Sequence, residues 1–188
     1  MIKKLFYLVL FIFLPIKVFA LIEIDITRGN LDPLPLAVSP LSIDDLSKKE
    51  FKNIVKIENI GSEISNIVEN NLRTSGLFNP LSKDAFLQAP DIANLKPRFE
   101  DWRLIKAQAL ITGKVSYINE KLRVEFRLWD VLAAKEMMAL AFTTVPSNWR
   151  RVGHIITDKI YERLTGEKGY FDTRIIYVAE EGPKTKRI

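Results

Sequence analysis

The chain has 188 residues, 47% of them hydrophobic and 27% charged, with a formal net charge of +5 and no cysteine. This is the composition of a folded protein and excludes a disordered one; the missing thiols exclude cysteine catalysis, zinc–thiolate sites and covalent haem attachment. The basic excess first suggests nucleic acid. It is concentrated at the start of the chain, however, and gives no phosphate-binding footprint.

Residues 1–20, MIKKLFYLVLFIFLPIKVFA, are not domain sequence. Lys3 and Lys4 form a basic start, Leu5 to Leu14 an unbroken apolar run, and Val18-Phe19-Ala20 a cleavage region. That order predicts a secretory signal peptide cut after Ala20. A membrane anchor needs roughly 20 apolar residues, and Pro15 and Lys17 cut this run short. Without Lys3, Lys4 and Lys17, and with no acid lost, the formal charge falls from +5 to about +2. Export leaves the chain without a chromosome to bind, so no nucleic-acid partner is expected.

In LIEIDITRG, residues 21–29, Ile22, Ile24 and Ile26 alternate with Glu23, Asp25 and Thr27. The period of two predicts a half-buried strand. Three prolines follow, so residues 21–34 are read as an arm or edge strand on an extended linker. PLAVSPL, residues 35–41, is the candidate first core strand.

Ile60, Ile64, Ile67, Val68 and Leu72 form one stripe of a helix closed by Gly76. GLFNPL, residues 76–81, then turns away. Residues 82–98, with Pro90 and Pro97, read as loop. FEDWRLIKAQ, residues 99–108, predicts a short helix with Trp102 and Ile105 inward. Three strands follow at 109–118, 121–130 and 135–145, the first pair joined tightly at Asn119-Glu120. Leu122, Val124, Phe126 and Leu128 alternate with Arg123, Glu125 and Arg127, so one face of the middle strand is buried. Ser147 is a suitable cap for a last helix carrying Trp149, Val152, Ile156, Ile160 and Leu164 and ended by Gly166. These elements specify an α/β fold: a mixed sheet packed by two to three helices over residues 35–170.

No catalytic constellation emerges, and the chain is not expected to be an enzyme or to hold a cofactor or metal. The lone histidine, His154, lies about 140° from Trp149 on a helix of ~100° per residue. That is its polar side, where a lone histidine is ordinarily just exposed; the alternative is a hydrogen bond to a neighbouring element. Asp44-Asp45 and Glu100-Asp101 read as loop and helix-start acids. Trp102, Trp129 and Trp149 read as core. The start of the last helix, Trp149-Arg150-Arg151, supports an alternative reading as a small-ligand or anion-binding domain.

The stretch NWRRVGHIITDKIYERLTGEKGYFDTRIIYVAE, residues 148–180, closely resembles the TolB family of the periplasmic Tol-Pal system. His154, Asp158 to Glu162, Leu164-Thr165-Gly166, Gly169, Phe171 and Thr173-Arg174-Ile175 carry the match. LRTSGLFNPL (72–81), ALITGKV (109–115) and VEFRLWD (124–130) agree with it.

The resemblance implies a connector between the inner-membrane protein TolA, reached through Ile22, Glu23, Ile24, Asp25 and Ile26, and the lipoprotein Pal, reached through a six-bladed β-propeller. It implies a role in outer-membrane integrity and in constriction at cell division. Residues 171–188 then look like the first strand of the first blade, expected to stand unpaired, and the sequence is expected to be a fragment lacking the propeller.

Overall fold

The computed structural model describes residues 32–173, 179–180 and 186–187. The signal-peptide region and the arm residues Ile22 to Ile26 lie outside the described residues.

The chain enters through β1, Leu34–Val38, and the two-residue β2, Ser42–Ile43. Two helices follow, α1 at Asp45–Val55 and α2 at Ile60–Thr74, then the short strand β3, Phe78–Pro80. Two six-residue helices, α3 at Pro90–Leu95 and α4 at Phe99–Leu104, lead into three ten-residue strands: β4 at Ala109–Ile118, β5 at Lys121–Asp130 and β6 at Lys135–Thr144. The long helix α5, Trp149–Thr165, closes the unit. The sheet order is β3-β1-β4-β5-β6, with β2 beside the far end of β4. β1 runs parallel to both neighbours, while β4, β5 and β6 form an antiparallel meander. The expected mixed α/β sheet is thus observed.

PLAVSPL does form a central strand. Leu36 and Val38 face one core and Ala37 faces the other. The hairpin at Asn119-Glu120 has φ of 50° and 60° at its two turn residues. That is the primed-turn geometry whose twist matches the flanking strands.

The main core lies between one sheet face and α1, α2 and α5. Phe51, Ile64, Val68, Phe126, Ile156 and Ile160 are its buried centre, each worth about 1.5–3 kcal/mol on leaving water. A smaller core on the opposite face joins Ala37, Leu110 and Val131 to Ala93, Trp102 and Ala107.

Several expectations need correction. Residues 82–98 are not loop throughout: they hold a 3₁₀ turn at Lys83–Ala85 and α3. Pro90 opens α3 at its first turn, where the missing N–H costs nothing. Gln88 organises the segment. Its Oε1 accepts from Arg98 N at 3.0 Å and Trp102 Nε1 at 3.1 Å, and its Nε2 donates to Lys96 O at 3.0 Å.

GLFNPL does more than turn, because Phe78–Pro80 pairs parallel with β1. Pro80 is accommodated because β3 is an edge strand. α1, which no expectation covered, is capped by Asp44, whose carboxylate accepts from Ser47 N at 2.9 Å. Ser147 caps nothing: the cap residue of α5 is Asn148, with no side-chain hydrogen bond to the helix, after a 3₁₀ turn at Pro146–Asn148.

Of the strand expected after Thr173, residues 174–178 lie outside the described residues. Ala179–Glu180 pairs antiparallel with Lys186–Arg187, so this part of the tail is not the unpaired strand expected.

Candidate functional site

Three features stand out: the packing of α2 on α5, the segment that leaves α5, and the outer edge of β6. α5 and the segment that leaves it lie in the stretch 148–180 that carried the resemblance; β6 lies outside it.

α2 and α5 cross at Gly153. A Cβ at that position would come within 2.8 Å of Ile67 Cγ2. Glycine there allows an approach that no other residue permits. Beside it, Asn71 Nδ2 lies 2.9 Å from His154 Nδ1 and 3.1 Å from Thr157 Oγ1. Thr157 in turn donates to Gly153 O at 2.8 Å. His154, expected to be a merely exposed polar-side residue, is instead half-buried and hydrogen-bonds a neighbouring helix.

α5 ends at Gly166, which takes φ of 75° and donates to Glu162 O at 3.0 Å. The chain then folds back along the helix. Asp158 receives it: Oδ1 accepts from Phe171 N at 2.7 Å and Oδ2 from Asp172 N at 3.1 Å. Gly169 lies so close that a Cβ would meet Asp158 Cα at 2.4 Å. Arg151 closes the loop, donating from Nε and Nη2 to the Asp172 carboxylate at about 3.1 Å. Tyr161 makes edge contacts with Phe78, Tyr170 and Phe171, and burial pushes its phenol pKa up, helped by Tyr170 and Glu167. Gly166, Gly169, Asp158, Tyr161 and Phe171 thus share one task, which is to fix the course of the chain as far as residue 173.

The same geometry removes support from the anion-binding alternative. Trp149 is core, 5% exposed. Arg150 stacks on its ring at 4.2 Å. Arg151 is already paired, and its hydrogen bonds to Asp172 push the guanidinium pKa up further. Among the described residues, no cluster of His, Asp and Glu could hold a metal ion, and no helix is long and apolar enough to cross a membrane. The carboxylate pairs are structural: Asp44 caps α1, and Asp101 pairs with Arg98 at 2.7 Å. Trp102 and Trp149 are buried as expected, and Trp129 donates to Thr112 Oγ1 at 2.9 Å.

The family description of the TolB amino-terminal domain matches residues 22–137. Over 180 residues the chain is 82% identical to the Tol-Pal system protein TolB of Pelagibacter ubique (strain HTCC1062). That match covers 96% of this chain and 40% of that protein, so the chain spans less than half of that relative's length. A crystal structure of TolB from Acinetobacter baumannii aligns with a TM-score of 0.62 at 25% identity, over 78% of this chain and 32% of that one. The resemblance first visible between residues 148 and 180 therefore holds across the fold. The chain belongs to the TolB family, and its folded unit is that family's amino-terminal domain.

Proposed function

We propose that this chain is the amino-terminal part of a non-enzymatic connector of the Tol-Pal system in the periplasm. It links inner-membrane TolA to the outer-membrane lipoprotein Pal, for outer-membrane integrity and for constriction during cell division. Residues 1–20 direct export and are removed after Ala20. Residues 21–34 form the arm that engages TolA, residues 35–170 the α/β domain that carries it, and residues 171–188 the beginning of the first propeller blade. Pal is bound by the propeller of the whole protein.

The carrying observation is the family match over residues 22–137, which takes in Ile22 to Ile26 of the arm together with the domain as far as the start of β6. The arm has the chemistry for strand addition. Ile22, Ile24 and Ile26 present one apolar face, Glu23 and Asp25 the other, and the backbone supplies donors and acceptors to a partner's sheet edge. Pro33 lies between these residues and β1.

The test is capture by the carboxy-terminal domain of TolA. Deletion of residues 21–28, and separately Ile24→Pro, which removes one backbone donor, should each abolish capture while leaving the far-UV spectrum of the domain unchanged. Undiminished capture by the deletion would place the TolA contact on the folded domain and overturn the reading.

A further inference from the structure

β6 is ten residues long, and its outer edge has no strand beside it among the described residues. Natural sheets blunt such edges with charge, proline or a bulge. β6 uses these devices only at its beginning. Lys135 and Glu136 supply charge, and the register shifts between Leu128 and Trp129 so that Met137 has no partner of its own on β5. The carbonyl of Met137 accepts from Arg163 Nε of α5 at 3.3 Å. Beyond it, Met137 to Thr144 reads MMALAFTT, with no charge, glycine or proline. Such a run on an open edge is a template for another strand.

The two faces of β6 specify what that strand must look like. On the core side Met138, Leu140 and Phe142 lie opposite Leu128, Phe126 and Val124. Phe142 stacks on Phe126 at 6.1 Å, while Leu140 remains 38% exposed. An added strand with apolar residues on this side would extend the main core outward.

On the opposite side Ala139 and Ala141 face Arg127 and Glu125. The alanines leave a shallow groove of about 200 Å³ walled by Arg123, Glu125 and Arg127. Arg123 is held by Glu125 at 2.8 Å. Arg127 is held loosely: its Nε lies 3.4 Å from Glu136 Oε2 and its Nη1 3.4 Å from Asn94 Oδ1. Both are at the outer limit of a hydrogen bond, which leaves donors of the guanidinium for a stronger acceptor.

We infer that β6 is a docking edge for an extended segment of a partner protein, apolar on alternate residues and carrying a carboxylate opposite Ala139 that reaches Arg127. The main chain supplies affinity; the alternating side chains and the carboxylate supply register. The role differs from the one proposed for the arm, which gives a strand where β6 receives one.

The probe is a synthetic peptide alternating valine and threonine, with one threonine replaced by glutamate, titrated into the isotope-labelled full chain. Amide shifts should concentrate at residues 138–144. Replacing the peptide's glutamate by glutamine should weaken binding about fivefold, as for an exposed ion pair. In an Arg127→Gln chain the two peptides should bind alike. N-methylating alternate peptide amides should abolish binding, and so should Ala139→Lys, which fills the groove. Both altered positions point away from the main core, so each variant should keep the parent far-UV spectrum.

Absence of shifts at 138–144 with millimolar peptide would overturn the inference. So would shifts that appear only after residues 21–31 are removed, since the chain's own arm would then own the edge. A self-association that protects 138–144 would assign it to a second copy instead. None of these outcomes depends on TolA capture.

Discussion

Gly153 of α5 sits directly against Ile67 of α2, with room for a hydrogen and for nothing larger. A methyl group there would meet Ile67 at both Cγ2 and Cβ, at 2.8 and 3.0 Å. Ile67 is branched at Cβ and cannot swing aside. Two opposing effects decide the outcome of Gly153→Ala. Helix propensity favours alanine by about 1 kcal/mol. Overpacking costs typically 1–3 kcal/mol. The contact reaches Cβ rather than a flexible tip, so the steric cost should win and the variant should melt below the parent. Adding Ile67→Ala should recover part of the loss, giving a favourable coupling in a double-mutant cycle read by thermal unfolding.

Asp158 holds the segment after α5 by two backbone hydrogen bonds, one per carboxylate oxygen. Hydrogen bonds to a charged group are each worth about 1.5–3 kcal/mol. Asp158→Ala should release Phe171 and Asp172 together, raising their amide exchange by one to two orders of magnitude, about what 2 kcal/mol of local stability gives. Asp158→Asn keeps one acceptor and turns an amide group toward the second N–H, so it should release one amide more than the other. Unchanged exchange in both variants would mean that the aromatic contacts of Tyr161 hold the segment alone.

How legible this was depended on periodicity and on distance along the chain. The stripes of α2 and α5 and the alternation of β5 announce themselves because one face of each is buried in the larger core. The hairpin at Asn119-Glu120 is local, so it too could be read. α4 could be read as a short helix with Trp102 inward, although it stops at Leu104 rather than 108, but α3 and its packing beside α4 could not. α3 has six residues, too few to show a 3.6-residue period, and Pro90 and Pro97 look like breakers. The order of this layer comes from Gln88, whose partners lie as far along the chain as Trp102. α1 escaped because its buried residues are only Ser47 and Phe51. At the junction the relevant residues could be listed as a family resemblance. That Asp158 receives two amides and that Gly169 must lack a side chain to approach it depends on contacts 11 to 14 residues apart, which no local pattern encodes.

The hidden layer gives the third prediction. Gln88 is 4% exposed and serves three partners, including the indole N–H of a fully buried Trp102. Gln88→Leu keeps the volume and removes every partner. A buried donor left unpaired costs about 1–3 kcal/mol, and here two donors and a carbonyl lose theirs. The variant should be destabilised by at least the upper part of that range. The loss should appear first in the near-UV signal of Trp102, with the helical signal of α2 and α5 retained until the main transition.

The last prediction concerns acid. Glu69 of α2 accepts from Arg73 one turn on and pairs with Lys83 at 3.1 Å, so the 3₁₀ turn is tied to the helix. Burial alone would raise the pKa of its carboxyl. The hydrogen bonds from Arg73 and Lys83 outweigh burial and bring it below the ordinary 4.5. A carboxyl whose pKa is lower folded than unfolded stabilises the fold above its unfolded value, and that contribution disappears as pH falls through the folded value. Glu69→Gln should therefore be less stable than the parent near neutral pH, by about 1 kcal/mol because the cluster borders solvent and is screened. The gap should hold down to about pH 5 and close below 4.5, where the parent's glutamate takes up its proton. Urea unfolding of both proteins across that range measures it directly. A gap that stays constant to the lowest pH at which both still fold would assign the effect of Glu69 to packing rather than to charge.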